Sequence, residues 1–75
     1  MLKEEFEGYL LEAVPQKTPN GKWAAAVKIR EKEGPEGKKN TYFADDNILY
    51  ILEIEAANES INLGKQIIRK NLAGF

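Results

Sequence analysis

Residues 54–72, IEAANESINLGKQIIRKNL, carry the longest helical period in the chain, and their reading decides the fold. At about 100° per residue, Ile54, Ala57, Ile61, Ile68 and Leu72 share one stripe. Ala56, Leu63 and Ile67 share a second, and Ala57, Ser60 and Gly64 lie between the two. The apolar arc is wider than the stripe of an ordinary surface helix, and its smallest residues run down the middle. Glycine inside a helix costs about 1 kcal/mol relative to alanine, so Gly64 predicts a backbone that closely approaches the layer beneath it. Glu53, Glu55 and Glu59 precede Lys65, Arg69 and Lys70, an order that suits the helix macrodipole. Asn71 and Gly74 supply a C-terminal stop.

A single helix cannot bury its own apolar arc, so the preceding residues must form the surface it covers. With 75 residues the chain makes one domain, 1–75, and the balance of burial against chain entropy at this size is close to zero. Good packing or self-association must supply the margin, because the chain has no cysteine and no disulfide can help. Lys22–Lys32, KWAAAVKIREK, alternates with period two: Trp23, Ala25, Val27 and Ile29 fall on one face, Ala24, Ala26, Lys28 and Arg30 on the other. That predicts a strand whose first face, with Trp23, Val27 and Ile29, meets the helix. A helix over the same residues is the competing reading. The Asn20-Gly21 turn before it and the Gly34-Pro35 after it oppose it.

Before that turn, Glu4–Gln16 reads as one strand ended by Pro15, with Gly8 marking a bulge or a close approach. Phe6, Leu10 and Val14 have one parity, Tyr9, Leu11 and Ala13 the other. Glu33–Lys39 reads as an exposed loop and Asn40–Ala44 as a third strand, with Phe43 turned inward and Tyr42 outward. Ile48–Leu52, ILYIL, is apolar on every parity and reads as buried chain leading into the helix. The expected fold is therefore α+β, a three-stranded antiparallel sheet covered on one face by a C-terminal helix, in the order β-β-β-α.

Chemistry-bearing constellations are sparse. With no histidine or cysteine, the commonest general base, the most nucleophilic thiol and the preferred zinc ligands are missing. Asp45, Asp46 and Asn47 lack the ligand spacing of a calcium loop and read as a backbone-satisfying corner. Gly34 and Gly37 beside Lys38 and Lys39 lack the spacing and strand-to-helix context of a phosphate loop. Ser60 has no activating base and is expected to bond the preceding helical turn. The expected protein is non-enzymatic, with no cofactor and no metal. Its formal charge of −1, from 11 basic and 12 acidic residues, disfavours a general attraction to nucleic acid. No stretch is long enough to span a membrane, and a cytoplasmic location is the default.

The sheet face away from the helix is the candidate surface. On this parity it displays Tyr9, Leu11, Lys28, Arg30 and Tyr42, with Leu63 and Ile67 at its edge. Tyrosine and arginine suit a protein interface, so the first expectation is an interaction module that binds itself, as a homodimer, or a protein partner. The alternative is an RNA- or DNA-binding accessory protein using Tyr9, Lys28, Arg30 and Tyr42.

With GKWAAAVKI after the first hairpin turn and EAANESINLGKQII in the helix, the chain from about Phe6 to Ile68 resembles a group of small bacterial proteins of unknown function. Those proteins share a Gly-x-Trp strand and a Glu-Ala, Gly, Ile-Ile helix. The resemblance implies a strand-rich sheet with one C-terminal helix and brings no activity with it. The element order also resembles a double-stranded-RNA-binding-type fold lacking its first helix, an arrangement used by some antitoxin proteins.

Overall fold

The helix expected from residue 54 runs from Glu53 to Arg69 (α1) and covers antiparallel sheet, in a computed structural model that describes residues 2–32, 39–44 and 48–70. The chain supplies strands β1 (Lys3–Phe6), β2 (Tyr9–Ala13), β3 (Gln16–Lys17), β4 (Trp23–Ala24), β5 (Ala26–Glu31), β6 (Lys39–Phe43) and β7 (Leu49–Tyr50) ahead of the helix. They pair as a four-stranded sheet, β1-β2-β5-β6, and a small sheet, β3-β4-β7. The second continues the first, since β3 follows β2, β4 precedes β5 and β7 follows β6. The α+β order with a C-terminal helix holds, but in place of one three-stranded sheet there are a four-stranded sheet, with β1 added at its edge, and a small three-stranded one, with a bend between them.

The bend has a local cause. Pro15 has no N–H to give the ladder, and Ala25, Ala26 and Val27 are all buried, which strict alternation does not allow. Backbone bonds from Val14 N–H to the Ala26 carbonyl (2.9 Å) and from Ala44 N–H to the Ala25 carbonyl (3.0 Å) hold the strands together across the kink. Trp23 therefore leaves the line of Val27 and Ile29. It lies half-buried in the small sheet, opposite Lys17 and Tyr50, and is not part of the helix-facing core expected for it.

The single strand expected over Glu4–Gln16 is instead a hairpin. Glu7 and Gly8 both have positive φ, 48° and 86°, the handedness of a two-residue type I′ turn, and Phe6 faces Tyr9 across it. Gly8 marks a turn and not a bulge. The turn at Thr18–Lys22 forms where expected, with Gly21 at φ 82° and Thr18 N–H donating to the Lys22 carbonyl at 2.7 Å. The expected helix end at Asn71, Leu72 and Gly74, and the corner at 45–47, lie outside the described residues.

The core sits between α1 and strands β2 and β5. Leu11 faces Ile29 and Ala13 faces Val27 across the ladder, and all four are fully buried with Ala57, Ile61 and Ile67 above them. Burying each large aliphatic side chain contributes about 1.5–3 kcal/mol. The small-residue line of the helix meets this layer. A Cβ placed on Gly64 would lie 3.0 Å from Val27 Cγ2 and 3.1 and 3.2 Å from the two δ carbons of Leu11. One turn earlier, buried Ser60 donates its hydroxyl to the Ala56 carbonyl (2.7 Å), the helical-turn bond expected of it. It also accepts the Ala26 backbone N–H at 2.9 Å. That strand N–H is thereby satisfied by the helix at the kink.

β1 is tied to the other end of the helix. Phe6 lies under Lys65 Nζ at 5.8 Å and the Arg69 guanidinium at 5.2 Å from the ring centre, and Lys65 reaches Glu4 at 2.5 Å. Such exposed pairs contribute at most about 1 kcal/mol each. They orient the hairpin more than they stabilise it.

Two substitutions test this packing by urea unfolding. Gly64→Ala gains about 1 kcal/mol of helix propensity but overpacks fully buried neighbours at about 1–3 kcal/mol, so a net loss of about 1 kcal/mol is expected. An unchanged or higher midpoint would refute the close approach. Ser60→Ala leaves the Ala26 N–H without a partner and is expected to cost about 2 kcal/mol.

Candidate functional site

The structure separates the five residues expected to form one surface. Leu11 is fully buried beneath the helix, and Tyr9 and Tyr42 are half-buried on the same side, packed against the core. Lys28 and Arg30 alone face outward, because Leu10 pairs with Arg30 and Glu12 with Lys28 while Leu11 pairs with Ile29. The inverted parity follows from the Glu7-Gly8 turn. Across it Phe6 and Tyr9 share a face, so the odd residues of β2 follow Phe6 inward. Glu12, between Leu11 and Ala13, was the available sign that the even parity is the solvated one.

β6 is inverted for a similar reason. Its register sets Tyr42 opposite Val27 and Phe43 opposite Ala26, so Tyr42 turns to the core and Phe43 stays 67% exposed. The greasier ring loses because pairing, not hydropathy, assigns the face. Leu63 packs against the core and Ile67 is buried in it, so neither borders an open surface.

What the outer face does hold is Leu10, Glu12, Lys28, Arg30, Lys39, Thr41 and Phe43, with Glu5 opposite Leu10 and paired to Lys32. Lys3 joins them from β1, since it faces Glu12. Lys3, Leu10, Glu12, Lys28, Arg30 and Lys39 line a shallow groove of about 340 Å³.

A second surface lies at the start of the helix. Ile48–Leu52, expected to be buried, is buried only in part: Leu49 and Tyr50 form β7, while Ile51 and Leu52 are 78% and 55% exposed. Ile54, first residue of the apolar stripe, is 57% exposed. It overlooks a groove of about 760 Å³ that is also lined by Leu2, Val14, Pro15 and Ala57. Leu52 N–H donates to Glu55 Oε1 at 3.2 Å, half of a capping box, and this fixes the path by which the apolar residues enter the helix. Nearby, burial pushes the Tyr50 phenol above its ordinary value, and the carboxylates of Glu59 and Glu55 push it further.

No group of three or more acidic residues among those described is placed to hold a metal ion. No described helix is long and apolar enough to cross a membrane. No family model matches the chain, and no curated protein or solved structure matches it.

The Tyr50 environment predicts a late phenol. Because its folded pKa is raised, the folded state favours the protonated form, and the stability this provides is present below about pH 10 and lost as pH rises beyond it. Absorbance titration should resolve a late phase that Tyr50→Phe removes and Glu59→Gln shifts to lower pH. A Glu59→Gln profile identical to the parent would refute the assignment.

Proposed function

We propose that this protein is a non-enzymatic interaction module that binds a second copy of itself through the apolar surface at the start of α1. The observation that carries the reading is the exposed run Ile51, Leu52 and Ile54, whose last member lines a groove with Leu2, Val14, Pro15, Gln16, Glu53 and Ala57. Single exposed aliphatics are ordinary, whereas contiguous ones beside a concavity mark interfaces. Projecting side chains and a groove on one surface suit a two-fold contact, in which each copy's projections enter the other's concavity. A chain this short also gains the most from burying them.

Glu53 lines this groove and Glu55 holds the Leu52 N–H, so carboxylates border the surface on both copies. Their mutual repulsion opposes the contact, and salt screens it. The dimer therefore tightens as ionic strength rises. The expected likeness to a double-stranded-RNA-binding-type fold lacking its first helix rested on a three-strand order, which the β1-β2 hairpin and the second small sheet depart from. Glu53, Glu55 and Glu59 also occupy the turn where such a domain would want cations, which argues against an RNA role at that position.

Sedimentation over a range of concentrations tests the reading. A dimer strengthened by salt is expected, and Ile51→Glu or Ile54→Glu should leave a folded monomer whose melting temperature is lower than the parent's and no longer rises with protein concentration. A monomer up to concentrations on the order of 1 mM, where binding would be worth only about 4 kcal/mol, would overturn it. So would a dimer indifferent to both substitutions.

A further inference from the structure

The outward face of the four-stranded sheet has an arrangement that folding alone does not favour. Arg30 stands directly opposite Lys39, and Lys28 lies two residues from Arg30 on the same face. Like charges in directly opposed positions destabilise a sheet. Neither Arg30 nor Lys39 has a carboxylate partner among the described residues, whose ion pairs are Lys32 with Glu5 and Lys65 with Glu4. Lys3 adds a fourth cation to the groove, and Glu12 is its one acid.

The chain's net charge of −1 conceals this segregation. Glu53, Glu55 and Glu59 belong to the helix, which covers the opposite face of the sheet. The groove therefore keeps a local positive field. At the end of the same strand, Phe43 lies on the face of Lys39 and Thr41 by alternation and exposes 67% of its surface. A row of cations beside an uncovered aromatic ring matches single-stranded nucleic acid, whose phosphates need charge and whose unpaired bases need a stacking surface. A duplex hides its base faces and would leave Phe43 unused.

We propose that this groove binds single-stranded nucleic acid, with phosphates over Lys28, Arg30 and Lys39 and a base stacked on Phe43. The site is separate from the apolar surface at the helix start and does not depend on dimer formation. Lys28 and Arg30 belonged to the surface read from sequence. Lys3, Lys39 and Phe43 join them only through the register.

Fluorescence anisotropy with labelled oligouridylate and oligothymidylate tests it, with inorganic polyphosphate as a competitor that lacks bases. With three or four phosphates neutralised, doubling the salt should weaken binding roughly four- to sevenfold. Arg30→Glu or Lys39→Glu should weaken it further while raising the melting temperature by a few degrees, because each turns a like-charge pair into an opposite one. Phe43→Ala should lower oligonucleotide affinity roughly five- to a hundredfold and leave polyphosphate binding unchanged. Ile51→Glu should affect neither. Binding of either oligonucleotide in this pattern supports the proposal, and a preference between them identifies the sugar. It is overturned if neither oligonucleotide binds at low salt, if Arg30→Glu and Lys39→Glu bind like the parent, or if Phe43→Ala has no effect on oligonucleotide affinity.

Discussion

Everything in this fold depends on how closely α1 approaches the sheet along Ala57, Ser60 and Gly64. Gly64 leaves just enough space for the side chains of Leu11 and Val27, and Ser60 supplies an acceptor for the N–H of Ala26. The two requirements reinforce each other. A longer side chain at position 64 would lift the helix, and a lifted helix would leave a buried strand amide without a partner, a loss comparable to removing the hydrogen bond outright. The bend at Ala25 is tolerated because the helix completes the hydrogen bonding that the bend interrupts.

That bend has consequences at both ends of the molecule. It carries Trp23 out of the main core and into a short sheet with Lys17 and Tyr50, and at the bend residues 13–16 border the groove that Ile54 and Ala57 line. Ile51, Leu52 and Ile54 stay exposed there. On the main sheet the alternation is regular, and one face is committed wholly to the helix. The other keeps its charged side chains in solvent, where the pairing of β5 with β6 concentrates positive charge.

The two surfaces respond to ionic strength in opposite directions. Association through an apolar surface rimmed by carboxylates is strengthened by screening, while a cationic groove loses its hold on phosphate as counterions compete. Salt therefore separates the two properties in a single preparation.

The helix, its direction, its small-residue line, the Thr18–Lys22 turn and the α+β order were all legible in the amino-acid sequence, because each rests on neighbours within a few positions: a 3.6-residue period, a glycine at positive φ, acids before bases. The facing of the strands was not. Tyr9, Leu11, Tyr42 and Phe43 sit on faces set by a two-residue turn at Glu7-Gly8 and by cross-strand register, and one turn misplaced exchanges every inward residue for an outward one. Only the tertiary structure decides which side chains meet across strands. Glu12 hinted locally that Leu11 faces inward, but Lys3, Lys28, Arg30, Lys39 and Phe43 became one surface through long-range pairing that no local pattern encodes.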